Sequence, residues 1–203
     1  MKTIDLKKTL KPYYTASAAK PSLVDVPALS ALMVDGIGDP NAPAFAEAIG
    51  TLYSVAYTLK FTFKKERAID YPVMALQGLW CAEDVADFAN QRRDRWQWTL
   101  FIVLPDVVTK ADVKKAVEAV KAKGKLDRMP EVRLEKFKEG RAAQILHIGP
   151  YAAEAPTIER LHRFVAEQGL KLRGRHHEIY MGDPRRAAPE KLKTIIRHPV
   201  EPA

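Results

Sequence analysis

The sequence predicts an α+β fold: two β-α-β-β modules related by a pseudo-twofold, with antiparallel sheets, helices on one face and a central ligand cleft. Three observations carry this. The order strand, glycine-containing break, helix, strand, strand occurs twice, over about residues 24–104 and 132–200. Short stretches match between the copies: Ala31-Leu32-Met33-Val34-Asp35-Gly36 parallels Gln144-Ile145-Leu146-His147-Ile148-Gly149, and Gly78-Leu79-Trp80-Cys81-Ala82-Glu83 parallels Glu178-Ile179-Tyr180-Met181-Gly182-Asp183. Each copy has one amphipathic helix, which covers a single face of its sheet. Two such units back to back leave a groove on their common axis, a frequent place for ligands.

The elements follow in order. Residues 1–22 form a basic N-terminal arm without sustained period, irregular or loosely helical. Residues 23–105 form the first module. Val24 to Asp35 reads as a strand with Pro27 near its start, where a missing donor is tolerated, and Gly36-Ile37-Gly38-Asp39-Pro40 closes it. Asn41 or Asp39 caps a helix opening near Pro43, with Phe45, Ile49, Leu52, Val55, Ala56 and Leu59 at helical spacing to about Phe63. Tyr53 and Tyr57 are four apart and share a flank of that helix. Asp70 to Cys81 reads as a second strand, 82–95 as a charged loop, and Arg95 to Leu104 as a third strand. Residues 106–130 hold a linking helix, Lys110 to Lys123, capped by Thr109 and ended by Gly124. Residues 131–203 form the second module. In it Val132 to Lys138 and Ala142 to Ile148 are strands joined by a tight turn at Glu139-Gly140. Pro156 opens a helix bearing Ile158, Leu161, Phe164 and Val165, and Arg175–Gly182 and Lys191–Val200 are the last strands. The whole of 1–203 is read as a single domain.

Composition bounds the function. The 203 residues are 47% hydrophobic and 29% charged, values of a folded chain. No apolar run is long enough for a membrane helix, and the N-terminus has no secretory signal pattern. The single cysteine, Cys81, excludes an internal disulfide, so a cytoplasmic protein is expected. Net charge is +8, but Lys and Arg are spread and interleaved with acids, so a solvated basic surface is expected rather than a nucleic-acid interface. The glycines at 36 and 38 do not make a phosphate loop, and the five histidines show no ligand motif. No metal and no cofactor are expected.

The candidate site centres on His176-His177-Glu178-Ile179-Tyr180-Met181. Strand alternation sends Glu178 and Tyr180 one way and His177, Ile179 and Met181 the other. The reading puts Ile179 and Met181, with Leu79 and Cys81, against the helices, and Glu178, Tyr180 and Trp80 toward the groove. Cys81 is then a structural thiol behind the sheet. Trp96 and Trp98 share a strand face, and either they wall an aromatic pocket or they form core; parity does not decide. Tyr57 and His147 are further candidate ligand-facing residues, against the more usual roles of core rim for Tyr57 and satisfied core histidine for His147.

The chain resembles the GyrI-like small-molecule-binding family, named after a DNA gyrase inhibitor and found also as the drug-sensing half of MerR- and AraC-type regulators. The resemblance rests on Val34-Asp35-Gly36-Ile37-Gly38-Asp39-Pro40, Leu52-Tyr53-Ser54, Gly78-Leu79-Trp80, Trp96-Gln97-Trp98-Thr99, Gln144 to Pro150, His176 to Tyr180 and Ala188 to Thr194. It covers essentially the whole chain, best for stand-alone members; residues 1–22 are too short for a DNA-binding domain. It implies a buried glutamate amid aromatic rings that takes lipophilic cations, here Glu178. Some stand-alone members are similar to hydrolases that open the cyclopropane of DNA-alkylating compounds. Cys81 follows Trp80 where such relatives often carry an aromatic.

Two chemistries follow. In a hydrolytic one, desolvation raises the Glu178 pKa, Glu178 activates water, and Tyr180 hydrogen-bonds the developing oxyanion. In a binding one, ionised Glu178 and the rings of Trp80, Trp96, Trp98 and Tyr57 hold an aromatic or cationic compound. A third class, a protein-interaction role such as gyrase inhibition, shares none of these residues.

Overall fold

The periodicities become regular elements in a computed structural model, which describes residues 1–82, 92–124, 126 and 128–203. The chain runs β1 (Lys2–Thr3), α1 (Leu6–Thr9), β2 (Ser22–Ile37), α2 (Pro43–Arg67), β3 (Ile69–Asp70), β4 (Leu76–Cys81), β5 (Gln97–Leu104), α3 (Lys110–Ala122), β6 (Arg133–Ile148), α4 (Ala155–Glu167), β7 (Leu170–Leu172), β8 (His176–Tyr180) and β9 (Lys193–Pro202). Helix and strand are mixed, and the pairs β2–β5, β6–β9, β7–β9 and β8–β9 are antiparallel, as an α+β fold requires. Of the charged loop read at 82–95, residues 83–91 lie outside the described residues. Among the described residues no helix is long and apolar enough to cross a membrane.

Packing divides the chain into two units, and β2, β4 and β6 each contribute residues to both. The first comprises Met1–Thr9, Leu29–Met74 and Trp80–Phe137. In it β2 and β5 pair from Ser30 opposite Leu104 to Ile37 opposite Gln97. Helix α2 buries Leu52, Val55, Ala56, Leu59 and Phe63, the stripe its spacing predicts. Its cap is Ala42, which makes no side-chain bond. Asp39 instead closes the preceding turn, accepting from the backbone N and Nδ2 of Asn41 at 2.8 Å each. Thr109 caps α3 reciprocally: its hydroxyl accepts from Asp112 N, and Asp112 accepts from Thr109 N. The strand read at 70–81 begins only at Leu76. Ile69–Asp70 pairs instead, in parallel, with Lys2–Thr3, which ties down the start of the arm.

The second unit comprises Leu10–Ala28, Ala75–Leu79 and Lys138–Ala203. Strand β9 runs between β6 and β8, with Ile196 opposite both Ile145 and Glu178, and Thr194 opposite both His147 and Tyr180. Opposed residues of an antiparallel pair share a face. Ile145 and Ile196 pack with Leu161 and Val165 of α4, so this face is the helix face. Each fully buried Leu or Ile there stabilises by about 1.5–3 kcal/mol. Glu178 and Tyr180 therefore lie on the α4 side, and Ile179 lies on the other. This corrects the sequence reading, which alternated the strand properly but put Ile179 and Met181 against the helix. Strand β7 continues β8 along the same edge of β9, offset by two residues: Leu172 faces Val200, whereas His177 faces Arg197.

The face away from α4 carries a buried polar network. Glu139 and Arg197 side chains are 0% and 2% exposed and 3.0 Å apart. His177 bonds Glu139 through Nδ1 at 2.7 Å and Gln77 through Nε2 at 3.0 Å. Gln77 Nε2 donates to the Tyr14 hydroxyl, and Arg197 also donates to Gln144 and to the Tyr13 carbonyl. The arm is thus anchored by these contacts through Tyr13 and Tyr14. The tight turn expected at Glu139-Gly140 does not form; β6 runs through it. Gly140 has φ +74°, which glycine adopts without penalty. One left-handed residue offsets the alternation without reversing the chain, and Glu139 joins the Arg197 side.

Candidate functional site

Helix α4 begins at an unusual place. Its N-cap, Glu154, makes no side-chain cap bond, whereas Ser, Thr, Asp or Asn is the common choice. Its carboxyl is buried instead beside Glu178 and Thr194. Burial first, and then the charge of Glu178, push the Glu154 pKa up to about 9; the Thr194 hydroxyl opposes. Glu154 Oε1 has no hydrogen-bond partner among the described residues. A buried carboxylate lacking donors is costly, and keeping its proton removes that cost.

Glu178 is the opposite case. Burial works against its charge, but the hydrogen bond and charge of His176, with donors from Tyr180 and Glu154, outweigh it and hold its pKa below the usual carboxylate range. His176 Nε2 lies 3.1 Å from Oε1, and the Tyr180 hydroxyl donates to Oε2 at 2.8 Å. The expectation of a raised Glu178 pKa is therefore corrected: desolvation is present, but the proton sits on Glu154. Two neighbouring carboxyl groups hold one proton between them at neutral pH.

Tyr151, in the turn before α4, sets its ring edge-on to Tyr180, centroids 5.6 Å apart. Tyr151 is itself 40% exposed, so the carboxyl pair lies beneath tyrosine rings that reach the surface. His147 braces this turn, with Nδ1 at 2.9 Å from Thr157 Oγ1 and Nε2 at 3.3 Å from the Pro150 carbonyl.

The other candidates lie in the first unit. Phe45 stacks on Trp80 at 5.6 Å and meets Trp98 edge-on at 5.1 Å; Trp96 meets Trp80 edge-on at 6.0 Å. Trp98 lies flat over Gly36, its opposite on β2, and its indole Nε1 is buried without a partner among the described residues. A Cβ on Gly36 would sit 2.1 Å from the Trp98 ring. We expect Gly36→Ala to displace that indole and destabilise the protein by about 1–3 kcal/mol; loss of near-ultraviolet dichroism alongside a lower melting temperature checks it. Tyr57 is not part of this cluster. It stacks between Tyr53 and Phe61 along α2, beside a groove of about 510 Å³ that Val120 and Lys123 of α3 also line. Cys81 is half-buried at the end of β4, its Sγ 3.7 Å from Gln97 Oε1.

The structure thus brings Glu178, Tyr180 and His147 onto one sheet face, gathers Trp80, Trp96 and Trp98 elsewhere, and sets Tyr57 apart. Sequence reasoning missed Glu154 and Tyr151. Glu154 stands before a helix-opening Pro, where an acid looks like ordinary dipole complementation.

The chain is thus an α+β domain with a buried carboxyl pair beside two tyrosine rings. The family model described as the GyrI-like small molecule binding domain matches residues 19–201, and the chain belongs to that family. A Listeria innocua structure described as an uncharacterized conserved protein is 38% identical, with TM-score 0.87, covering 98% of this chain and 100% of that one. A second Listeria innocua structure, described as a hydrolase, is 36% identical with TM-score 0.85 and the same coverage. The EcmrR C-terminal domain shares the fold at 11% identity, TM-score 0.58, covering 91% of this chain and 98% of that one. No curated protein matches the sequence.

Proposed function

We propose that this protein binds small aromatic or cationic compounds and hydrolyses electrophilic, cyclopropane-bearing ones at the Glu154–Glu178 pair. One arrangement carries the reading: two buried carboxyl groups side by side whose surroundings push them apart, burial and the neighbouring charge raising Glu154 while His176 and Tyr180 lower Glu178, the pattern of an acid and a base. The hydrolase description of the 36%-identical Listeria innocua protein supports it.

The step balances as follows. Glu178 takes a proton from water as the water oxygen bonds to a cyclopropane carbon. The strained C–C bond breaks, and its electron pair moves into the conjugated carbonyl, whose oxygen receives the Glu154 proton. The product has gained one water, and the proton on Glu178 returns to Glu154. As the Glu154 proton leaves, the negative charge developing on Glu154 raises the basicity of Glu178 while it takes the proton of water, and the pair holds one proton throughout. Tyr180 orients Glu178; Tyr151 and Tyr180 give aromatic edges to the ligand. His147 enters the proposal as the brace of the Tyr151–Glu154 turn.

The test is incubation with a cyclopropane-bearing alkylating compound, read by mass spectrometry. Catalytic gain of one water is the expected result. Binding seen by Trp fluorescence without turnover would reduce the function to ligand capture, and neither binding nor turnover would overturn it.

A further inference from the structure

Three imidazoles gather on the helix face of the second unit. His176 on β8 and His198 on β9 have ring centroids 6.0 Å apart, and His162 of α4 meets His198 at 5.7 Å. Their nitrogens do not converge: among the described residues no group of three or more His, Cys, Asp and Glu could hold a metal ion. His162 Nε2 and His198 Nδ1 are buried without a hydrogen-bond partner among the described residues. Burial first, then repulsion from His176, hold the pKa of His162 below the usual imidazole range and bring His198 down to about 3. These two imidazoles are therefore neutral near pH 7. Among the described residues, His176 is the one of the three with an anionic partner, Glu178 Oε1 at 3.1 Å.

We propose that His176 is a positioning residue whose proton state sets the net charge of the Glu154–Glu178 site, so that affinity for an organic cation rises as His176 loses its second proton. The proposal rests on the small-molecule reading above and adds its regulation. His176 Nε2–H donates to Glu178 in both states; the second proton goes to Nδ1. With His176 neutral the site carries one negative charge, on Glu178. With His176 protonated the charges cancel and a cationic ligand loses its counter-ion. The charged and titratable groups that face His176 are Glu178 on β8, His198 on β9 and His162 on α4, with His177 acting on it from the opposite face; Tyr180 and Glu154 reach it through Glu178. Glu139 on β6 and His177 act on His198 from the opposite face.

Linkage makes the effect reciprocal: if a bound cation lowers the His176 midpoint by about one pH unit, its affinity changes about tenfold between the two states. The test measures ethidium, a fluorescent aromatic cation, and phenanthridine, its uncharged counterpart, against wild type, His176→Gln and His176→Ala from pH 5.5 to 8. Wild type is expected to bind ethidium about tenfold tighter at the upper limit. His176→Gln, which keeps an N–H for Glu178 but cannot charge, should bind with little pH dependence; His176→Ala should bind more weakly throughout; phenanthridine should show no trend. Persistence of the full ethidium trend in His176→Gln overturns the proposal. A separate arm follows the His176 imidazole by ¹⁵N NMR without ligand. Its midpoint should fall in Glu178→Gln, and an unchanged midpoint overturns the coupling even if ethidium binds at no pH, an outcome that would instead sink the binding reading.

Discussion

Glu154→Gln is expected to lower kcat for hydrolysis by about 10²–10⁴-fold, the usual worth of a positioned acid, while making the folded protein more stable at pH 8. The two halves have one cause. In the unfolded chain Glu154 ionises near the ordinary carboxylate value; folded, it keeps its proton up to about 9. Folding therefore takes up a proton between those limits, and stability falls as pH rises through that window. Glutamine has nearly the same shape and needs no proton, so it removes the cost, stabilising by about 1–2 kcal/mol as substitutions at functional sites often do. Glu178→Gln should abolish turnover too, but it leaves one acceptor oxygen where His176 and Tyr180 each use one, so it gives no such gain. The wild-type kcat/KM profile should fall on its alkaline side as Glu154 loses its proton near pH 9. Paired melting curves and turnover assays at pH 6, 8 and 10 check this. A less active Glu154→Gln that is also less stable would mean the residue is structural.

Arg197→Met is expected to destabilise by about 3–5 kcal/mol, the cost of leaving a buried partner charge without its counter-ion. Glu139 would keep one donor, His177 Nδ1, and Gln144 would lose the guanidinium. Burial alone would raise the Glu139 pKa, but His177 and Arg197 outweigh it and bring it to about 2. A depressed carboxylate contributes stability that is present above its unfolded value and lost as pH falls toward 2. His177, lowered chiefly by burial, contributes stability that is present above the ordinary imidazole value and fades as pH falls below it. Both act in one direction, so the wild type should weaken progressively in acid. Arg197→Met should unfold at a distinctly higher pH, seen in urea titrations between pH 3 and 8. An unchanged acid midpoint would mean the network does not hold Glu139 ionised.

The alternation of Glu178 with Ile179 was legible because a strand has a period of two. Which side the helix would take was not, because that depends on the register with β9, where Glu178 meets Ile196. Gly140 read as a turn because glycine after a polar residue usually is one; a left-handed residue within a continuous strand has the same sequence signature. Glu154 was hidden for a different reason. It lies 24 positions before Glu178, and only the packing of α4 on the sheet brings the two together. Tyr13 and Tyr14 sit in a stretch without period, so nothing local revealed that Arg197 and Gln77 would seize them.

The two-residue offset between β7 and β8 acts as an indexing step. Without it Glu178 would face Thr194 instead of Ile196, some 7 Å further along β9 at strand spacing. A shift of two keeps each side chain on its own face, whereas a shift of one would turn the acid, the imidazole and the phenol to the wrong side together. The segment Arg173-Gly174-Arg175, with Gly174 at φ +65°, is where that count is kept. Length changes there come in two grades. An even one slides the acid along β9, away from its partner; an odd one swaps the two faces of β8, sending the Glu178 carboxylate into the Arg197 network and His177 toward the helix.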